Sequence, residues 1–333
     1  MAEGDDITRT TLLIAAALAA LSTSITVPPV MAAPTVRARL VDGTLRVAGS
    51  PFADRIVLRL STTDPNRLQL DVDADGSADD SFDINSFAAI VVDARRGNDF
   101  VLLDTASGAF TTARPTIVVG GSGDDILLGG SGNELFFGGR GNDFVDGNGG
   151  ADTAFLGDGN DTFVWDPGDG SDTVEGGAGL DTHVFNGAGG DEIFAATPNG
   201  PRVRFTRNTG NIVMDLDDIE ALAVNALGGA DSVTINDLAG TGLTDVTVDL
   251  SSAIRGTTAD GAADTVQVEG TARVDTITAT ANGGAVDVDG LAASVRIAHT
   301  DPALDRLTID TLAGADDVSV DRSVNGLIQV TVE

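Results

Sequence analysis

Between Gly120 and Gly147 one nine-residue phrase, opening with glycines and placing an acid sixth, runs three times: "GGSGDDILL", "GGSGNELFF" and "GGRGNDFVD". Frames of this kind begin at Gly120, Gly129, Gly138, Gly147, Leu156, Pro167, Gly176 and Asn186, with Trp165-Asp166 and Phe185 read as insertions. The sixth positions are then Asp125, Glu134, Asp143, Asp152, Asp161, Asp172, Asp181 and Asp191. The eighth positions are Leu127, Phe136, Val145, Ala154, Phe163, Val174, His183 and Ile193, an apolar column broken by His183 alone. A period this short leaves little choice of fold. Glycine pairs supply positive φ for tight turns, and the x-apolar-x tail turns one side chain inward as a strand does. Two turns and two short strands make a coil of 18 residues, and coils stack at about 4.8 Å through shared backbone hydrogen bonds. The expected class is therefore all-β, a parallel β-roll or β-helix solenoid with flanking β-strand regions.

A longer repeat flanks the first. "IVVDARRGNDFVLLD" (90–104), "LAVNALGGADSVTIN" (222–236) and "LTIDTLAGADDVSVD" (307–321) align without a gap. Each is an alternating strand, a glycine turn with an acid (Asp99, Asp231, Asp316) and a second strand. "GSPFADRIVL" and "GTARVDTITA" echo the step from turn to strand. No later stretch reads as a long amphipathic helix. The expected divisions are 1–32, a signal peptide with an apolar stretch Leu12–Leu21 and a small-residue cleavage site at Val30-Met31-Ala32; 33–119, an N-terminal β region; 120–194, the repeat roll; and 195–333, a C-terminal β-helix-like region that continues the roll. The apolar stretch is too short to span a bilayer, which takes about 20 residues, so no stable membrane insertion is expected.

The sixth-position acids raise an electrostatic problem. Nonapeptides alternate between the two sides of the roll, so one row holds Asp125, Asp143, Asp161 and Asp181 and the other Glu134, Asp152, Asp172 and Asp191. Two carboxylates about 4 Å apart repel by roughly 4 kcal/mol at an effective dielectric near 20. A divalent cation between them reverses the sign. Calcium takes six to eight oxygens and accepts carboxylates mixed with the carbonyls that glycine leaves uncovered. The repeat region by itself is expected to be disordered without metal, because one apolar residue in nine recovers little of the chain entropy. The formal net charge of -32 fits a cation-binding chain and excludes the basic footprint that nucleic acid needs. With no cysteine, metal ions take the stabilising part that disulfides play in other exported proteins.

The run 120–194 resembles the RTX, or hemolysin-type, calcium-binding repeats of bacteria, whose pattern G-G-x-G-x-D-x-U-x it follows. "GDGNDTFVWDPGDGSDTVEG" with the flanking "LGGADSVTIN" looks like a subgroup of bacterial RTX-repeat proteins. The resemblance implies that carbonyls of the first turn residues join the sixth-position acids. Carried over, Gly120, Ser122 and Asp125 would face Gly139, Gly141 and Asp143 across one calcium ion.

"DVDADGSADD" offers a separate candidate, since Asp71, Asp73, Asp75 and Gly76 fit half of an EF-hand loop. Phe82 stands where the bidentate glutamate belongs, and a plain hairpin turn is the competing reading. Catalytic parts are missing: the histidines are His183 and His299, and there is no H-E-x-x-H motif and no nucleophile elbow. The expectation is a secreted, non-enzymatic calcium-binding protein with a structural or adhesive role at or outside the cell surface. The alternative is a calcium-dependent carbohydrate-binding module or a polysaccharide-acting enzyme, with cell-surface polysaccharide or matrix as partner.

Overall fold

The structure, a computed structural model, describes residues 36–333. The signal-peptide reading lies outside them. The described chain is built of strands, with single 3-10 turns at Ile84–Ser86, Thr209–Asn211 and Val324–Gly326. It divides into two compact units, up to Ala154 and from Phe155 on, so the break falls inside the repeat block.

In the first unit two sheets face each other. One runs in the order Arg37–Val41, Thr44–Ala48, Ala89–Arg96, Thr116–Ser122, Glu134–Arg140. The other runs Phe144–Asp146, Ile126–Leu128, Phe100–Asp104, Arg55–Leu60, Arg67–Val72, Asp80–Asp83. Repeat strands pair in parallel at the expected 18-residue step, with Glu134 beside Thr116 and Phe144 beside Ile126. The strands before them join the same sheets at longer steps, 26 with Thr116 beside Ile90 and Ile126 beside Phe100, then 45 with Ala89 beside Thr44 and Phe100 beside Arg55. Antiparallel pairing is confined to the outer hairpins. The eighth-position side chains Leu127, Phe136 and Val145 are fully buried, together with Ile90, Val101 and Val118 from the flanks. Each such side chain contributes about 1.5–3 kcal/mol by leaving water.

The second unit repeats this plan with longer coils. Thr162–Trp165 pairs in parallel with Thr182–Asn186 at a step of 20, and Ser232–Ile235 pairs with Thr265–Glu269 at a step of 33. Its core carries most of the buried aromatic volume: Phe163, Trp165, Phe185, Phe194 and Phe205. Trp165 stacks on Phe185 at 4.0 Å, and its Nε1 donates to the Gly170 carbonyl at 2.7 Å. His183 occupies its place in the apolar column fully buried, next to Phe163 and Phe185. Burial lowers its pKa to about 4, so it packs as a neutral ring.

One reading changes. Asn186 does not open the last frame but ends the strand Thr182–Asn186, where its amide bonds Asp166 and receives the Asn225 amide. The turn therefore starts at Gly187. Glu192 and Phe194 are buried, while Asp191 and Ile193 are exposed. At 71–80 the plain hairpin turn is what forms: Asp71 is buried in an ion pair with Arg59 and accepts from the N–H groups of Asp75 and Gly76.

Candidate metal centre

The turns that begin at Gly120, Gly138 and Gly176 bring their second and fourth glycines against the preceding coil. Gly121 and Gly139, second in their frames, have φ of 115° and 119°, and Gly123 and Gly141, fourth, have 121° and 120°. A Cβ on Gly139 or Gly141 would collide with the carbonyl of Gly121 or Gly123. Glycine is thus required twice over, by backbone conformation and by close approach.

The sixth-position acids point inward and form ladders. The backbone N–H of Asp54 donates to Asp99 Oδ1 at 2.7 Å, that of Asp99 to Asp125 Oδ1 at 2.8 Å, and that of Asp125 to Asp143 Oδ1 at 2.8 Å. On the opposite side the Glu134 N–H donates to Asp152 Oδ1 at 2.6 Å. In the second unit Asp161 donates to Asp181 Oδ1, and Asp181 to Glu220. A further ladder there runs Glu192, Asp231, Asp264, Asp305 at 2.8–3.0 Å. Asp125, Glu134, Asp143, Asp152, Asp161, Asp172 and Asp181 are all buried, as expected of core-facing acids. Asp191 is the exception, its place taken by Glu192.

One oxygen is used by the ladder, which leaves the other to account for. Asp99 Oδ2, Asp125 Oδ2 and Asp181 Oδ2 are buried without a hydrogen-bond partner. A Cβ on Gly120 would collide with Asp125 Oδ2 and lie 2.8 Å from the Gly138 carbonyl oxygen. The first glycine of the frame therefore keeps open a cradle where a carboxylate oxygen and a carbonyl from the next coil converge. Gly176 repeats this arrangement with Asp181 Oδ2 at 2.8 Å and the Asp218 carbonyl. The Ser122 carbonyl accepts from Gly97, which ties the turn to the coil before it.

Burial raises the carboxyl pKa values of these groups: Asp125 to about 7, with the neighbouring Asp124 adding to the effect, Asp99 to about 8, and Asp181 to about 6. Asp231 and Asp264 rise to about 7, again chiefly through burial. Without a counter-charge these acids hold protons that an exposed carboxyl would release. Hard oxygen donors of this kind fit calcium. Among the described residues no three acidic or histidine side chains converge as a metal-binding group.

The glutamates behave otherwise. Glu134 folds back so that Oε2 accepts from Gly130 and Oε1 from Gly132 of its own turn, at 2.9 and 3.2 Å. Glu192 accepts from Ala188 through Oε2 and forms a buried ion pair with Arg207.

Asp54, Asp264, Asp305, Glu192 and Glu220 belong to the ladders but are not among the acids singled out in the nonapeptide frames. The steps "DRIVL", "DTVQV" and "DRLTI", an acid followed at once by an alternating strand, carry the signal for three of them.

Fold and turns together define an all-β solenoid that stacks buried carboxylates at glycine turns. The chain carries the RTX calcium-binding nonapeptide repeat: the model of that family matches in four copies over residues 115–145, 128–163 and 167–182, and such repeats bind calcium ions. None of the curated proteins matches the chain. Among solved structures, the extracellular lipase LipA from Serratia marcescens is similar over 64% of this chain, with 13% identity and a TM-score of 0.21. The match spans 43% of the lipase chain, less than half its length.

Proposed function

We propose that this protein is a secreted calcium-binding repeat protein whose β-roll orders when the ion binds, with a structural or adhesive role at or outside the cell surface. The observation that carries this reading is Asp125 Oδ2, buried, without a hydrogen bond, and facing the Gly138 carbonyl across a space that only glycine leaves open. The ligand set is proposed to comprise the carboxylates of Asp125, Asp143, Asp152, Asp161, Asp172 and Asp181 with main-chain oxygens of turn residues such as Gly120, Ser122, Gly139 and Gly141. Glu134 is a weaker member, because its own turn already satisfies both its oxygens. Bound calcium supplies the positive charge that lets these carboxylates stay ionised. The chain's own part is to hold the carboxylates in register through the ladder N–H groups and to keep side chains out of the cradles.

Secretion is supported by the apolar N-terminal stretch with its small-residue cleavage site at Val30-Met31-Ala32. A non-catalytic role is supported by the use made of the two histidines. His183 is sealed in the core, and His299 Nδ1 is tied to Asp249 Oδ1 at 2.7 Å. Among the described residues no helix is long and apolar enough to cross a membrane.

Circular dichroism tests the reading. Calcium added to chelator-treated protein is expected to raise the β signal, and EGTA to remove it. Full β structure after exhaustive dialysis against EGTA would overturn the proposal.

A further inference from the structure

In a chain where acids outnumber arginines 51 to 19, four arginines gather around one pocket. Among the described residues, strand Arg37–Val41 lies at the edge of its sheet and pairs only with Thr44–Ala48. Alternation sets Arg37 and Arg39 on one face, and the register places Arg39 directly opposite Arg46. Like charges placed so oppose the pairing. Arg95 joins them from the strand Ala89–Arg96, and together with Val41 and Pro51 they line a pocket of about 410 Å³. Arg39, Arg46 and Arg95 make no ion pair among the described residues, whereas Arg59, Arg202, Arg207 and Arg296 are each bound to acids. Asp93, opposite Ala48 in the register, is the acid on the adjoining strand and is ion-paired with none of them.

Arg95 adds a second, independent observation. Its φ is 82°, in the left-handed region, and it pairs in register with Gly121. The corresponding second position of the later turns is glycine at Gly139, Gly157 and Gly177, all at positive φ. A bulky residue held in that region is strained, and such outliers point toward function.

We propose that this pocket binds a compact organic oxyanion, a molecule of one or two sugar units carrying two or more carboxylate, sulfate or phosphate groups. Guanidinium forks recognise all three groups through paired, charge-assisted hydrogen bonds. The volume lies in the range of small-molecule sites, roughly 300–1,000 Å³. The apolar walls of Val41 and Pro51 suit a carbon skeleton. Charge screening over about 8 Å confines the attraction to the pocket, and the remaining acidic surface repels a long polyanion.

The test is isothermal titration of the full chain, calcium-saturated, with digalacturonate, a disulfated disaccharide, fructose 1,6-bisphosphate and inorganic phosphate, with maltose as neutral control. At least one organic oxyanion is expected to bind about tenfold or more tighter than inorganic phosphate, and maltose is expected to give no heat. Which of the three binds best identifies the charged group. Arg39→Gln and Arg46→Gln should each weaken binding by about tenfold. Arg95→Gly should weaken it as well while raising the melting temperature, because glycine relieves the left-handed strain. Absence of heat with every oxyanion, or affinity unchanged in all three variants, would overturn the proposal and leave the arginines as protection of an edge strand.

Discussion

The turn closed by Asp125 and the turn closed by Glu192 are built on the same frame, yet they solve the problem of a buried carboxylate differently. At Asp125 one oxygen accepts the Asp99 N–H and the other has no hydrogen-bond partner, and burial pushes the pKa to about 7. At Glu192 one oxygen accepts the Ala188 N–H, and Arg207, which also lies over the Trp165 ring at 5.2 Å, neutralises the charge from within the chain. Glu134 stands between them, with both oxygens satisfied by its own turn and no cation beside it. Side-chain length alone does not decide this, because Asp54, Asp275 and Asp305 also close their own turns by accepting the N–H four residues back. The glycine turn at Asp125, with Gly121 and Gly123 at positive φ, leaves its carboxylate open toward a cradle. On the proposed function, dependence on calcium is expected to be uneven, greatest at Asp99 and Asp125 and least at Glu192.

The largest effect separating the two solutions is expected at Arg207. Arg207→Ala strands Glu192 as a buried unpaired charge and should cost about 3–5 kcal/mol by denaturant unfolding, with or without calcium. If calcium restored the loss, Glu192 would belong with the aspartate turns. Next in size, Gly120→Ala places a methyl group against Asp125 Oδ2 and the Gly138 carbonyl. Calorimetric titration should then report fewer calcium ions bound, with the protein still folded at high calcium. An unchanged number of bound ions would remove the cradle from the account.

The pH dependence is smaller and its sign is specific. The raised pKa values of Asp99, Asp125, Asp231 and Asp264, about 7 to 8 against an ordinary 3.8, mean that the metal-free fold keeps protons the unfolded chain has released. That contribution is complete below pH 4 and is lost as pH rises through the folded values. In EGTA the melting temperature should therefore fall between pH 6.5 and 8, a window above the titration of His183. In calcium it should hold or rise, because the ion requires the ionised form. Parallel falls in both media would show that calcium does not meet these carboxylates. The smallest change is His183→Phe. It removes two ring nitrogens buried without hydrogen bonds and should stabilise the second unit by about 1 kcal/mol.

Much of this was legible in the residues because the repeat ties conformation to composition. In the turns that begin at Gly120, Gly138 and Gly176, glycine at the second and fourth positions is dictated by positive φ and by a carbonyl of the preceding coil, and the eighth position is dictated by the core. The reading slips at Asn186, where an asparagine stacked on Asn225 and Asp166 lengthens the coil by a residue that resembles a turn. The ladder acids of the flanks carry no fixed period, because the step between strands paired in parallel is 18 or 20 residues within the repeat but 26 and 45 before it and 23 to 49 after it, which hides Asp54 and Asp264. Arg207 gave no sign at all. It reaches Glu192 through the antiparallel pair Ile193–Asn199 and Arg202–Arg207, a detour that interrupts the parallel coils.

Asp125→Asn tests the central claim most directly, because the amide keeps the shape of the side chain and removes its charge. Unfolding free energy would be measured for both proteins in EGTA and in saturating calcium at pH 7.5. The account predicts opposite signs: the variant more stable than the parent in EGTA, where a repelled charge has gone, and less stable in calcium, where a ligand has been lost. Destabilisation of equal size in both conditions would contradict it and reduce Asp125 to a hydrogen-bonding turn residue.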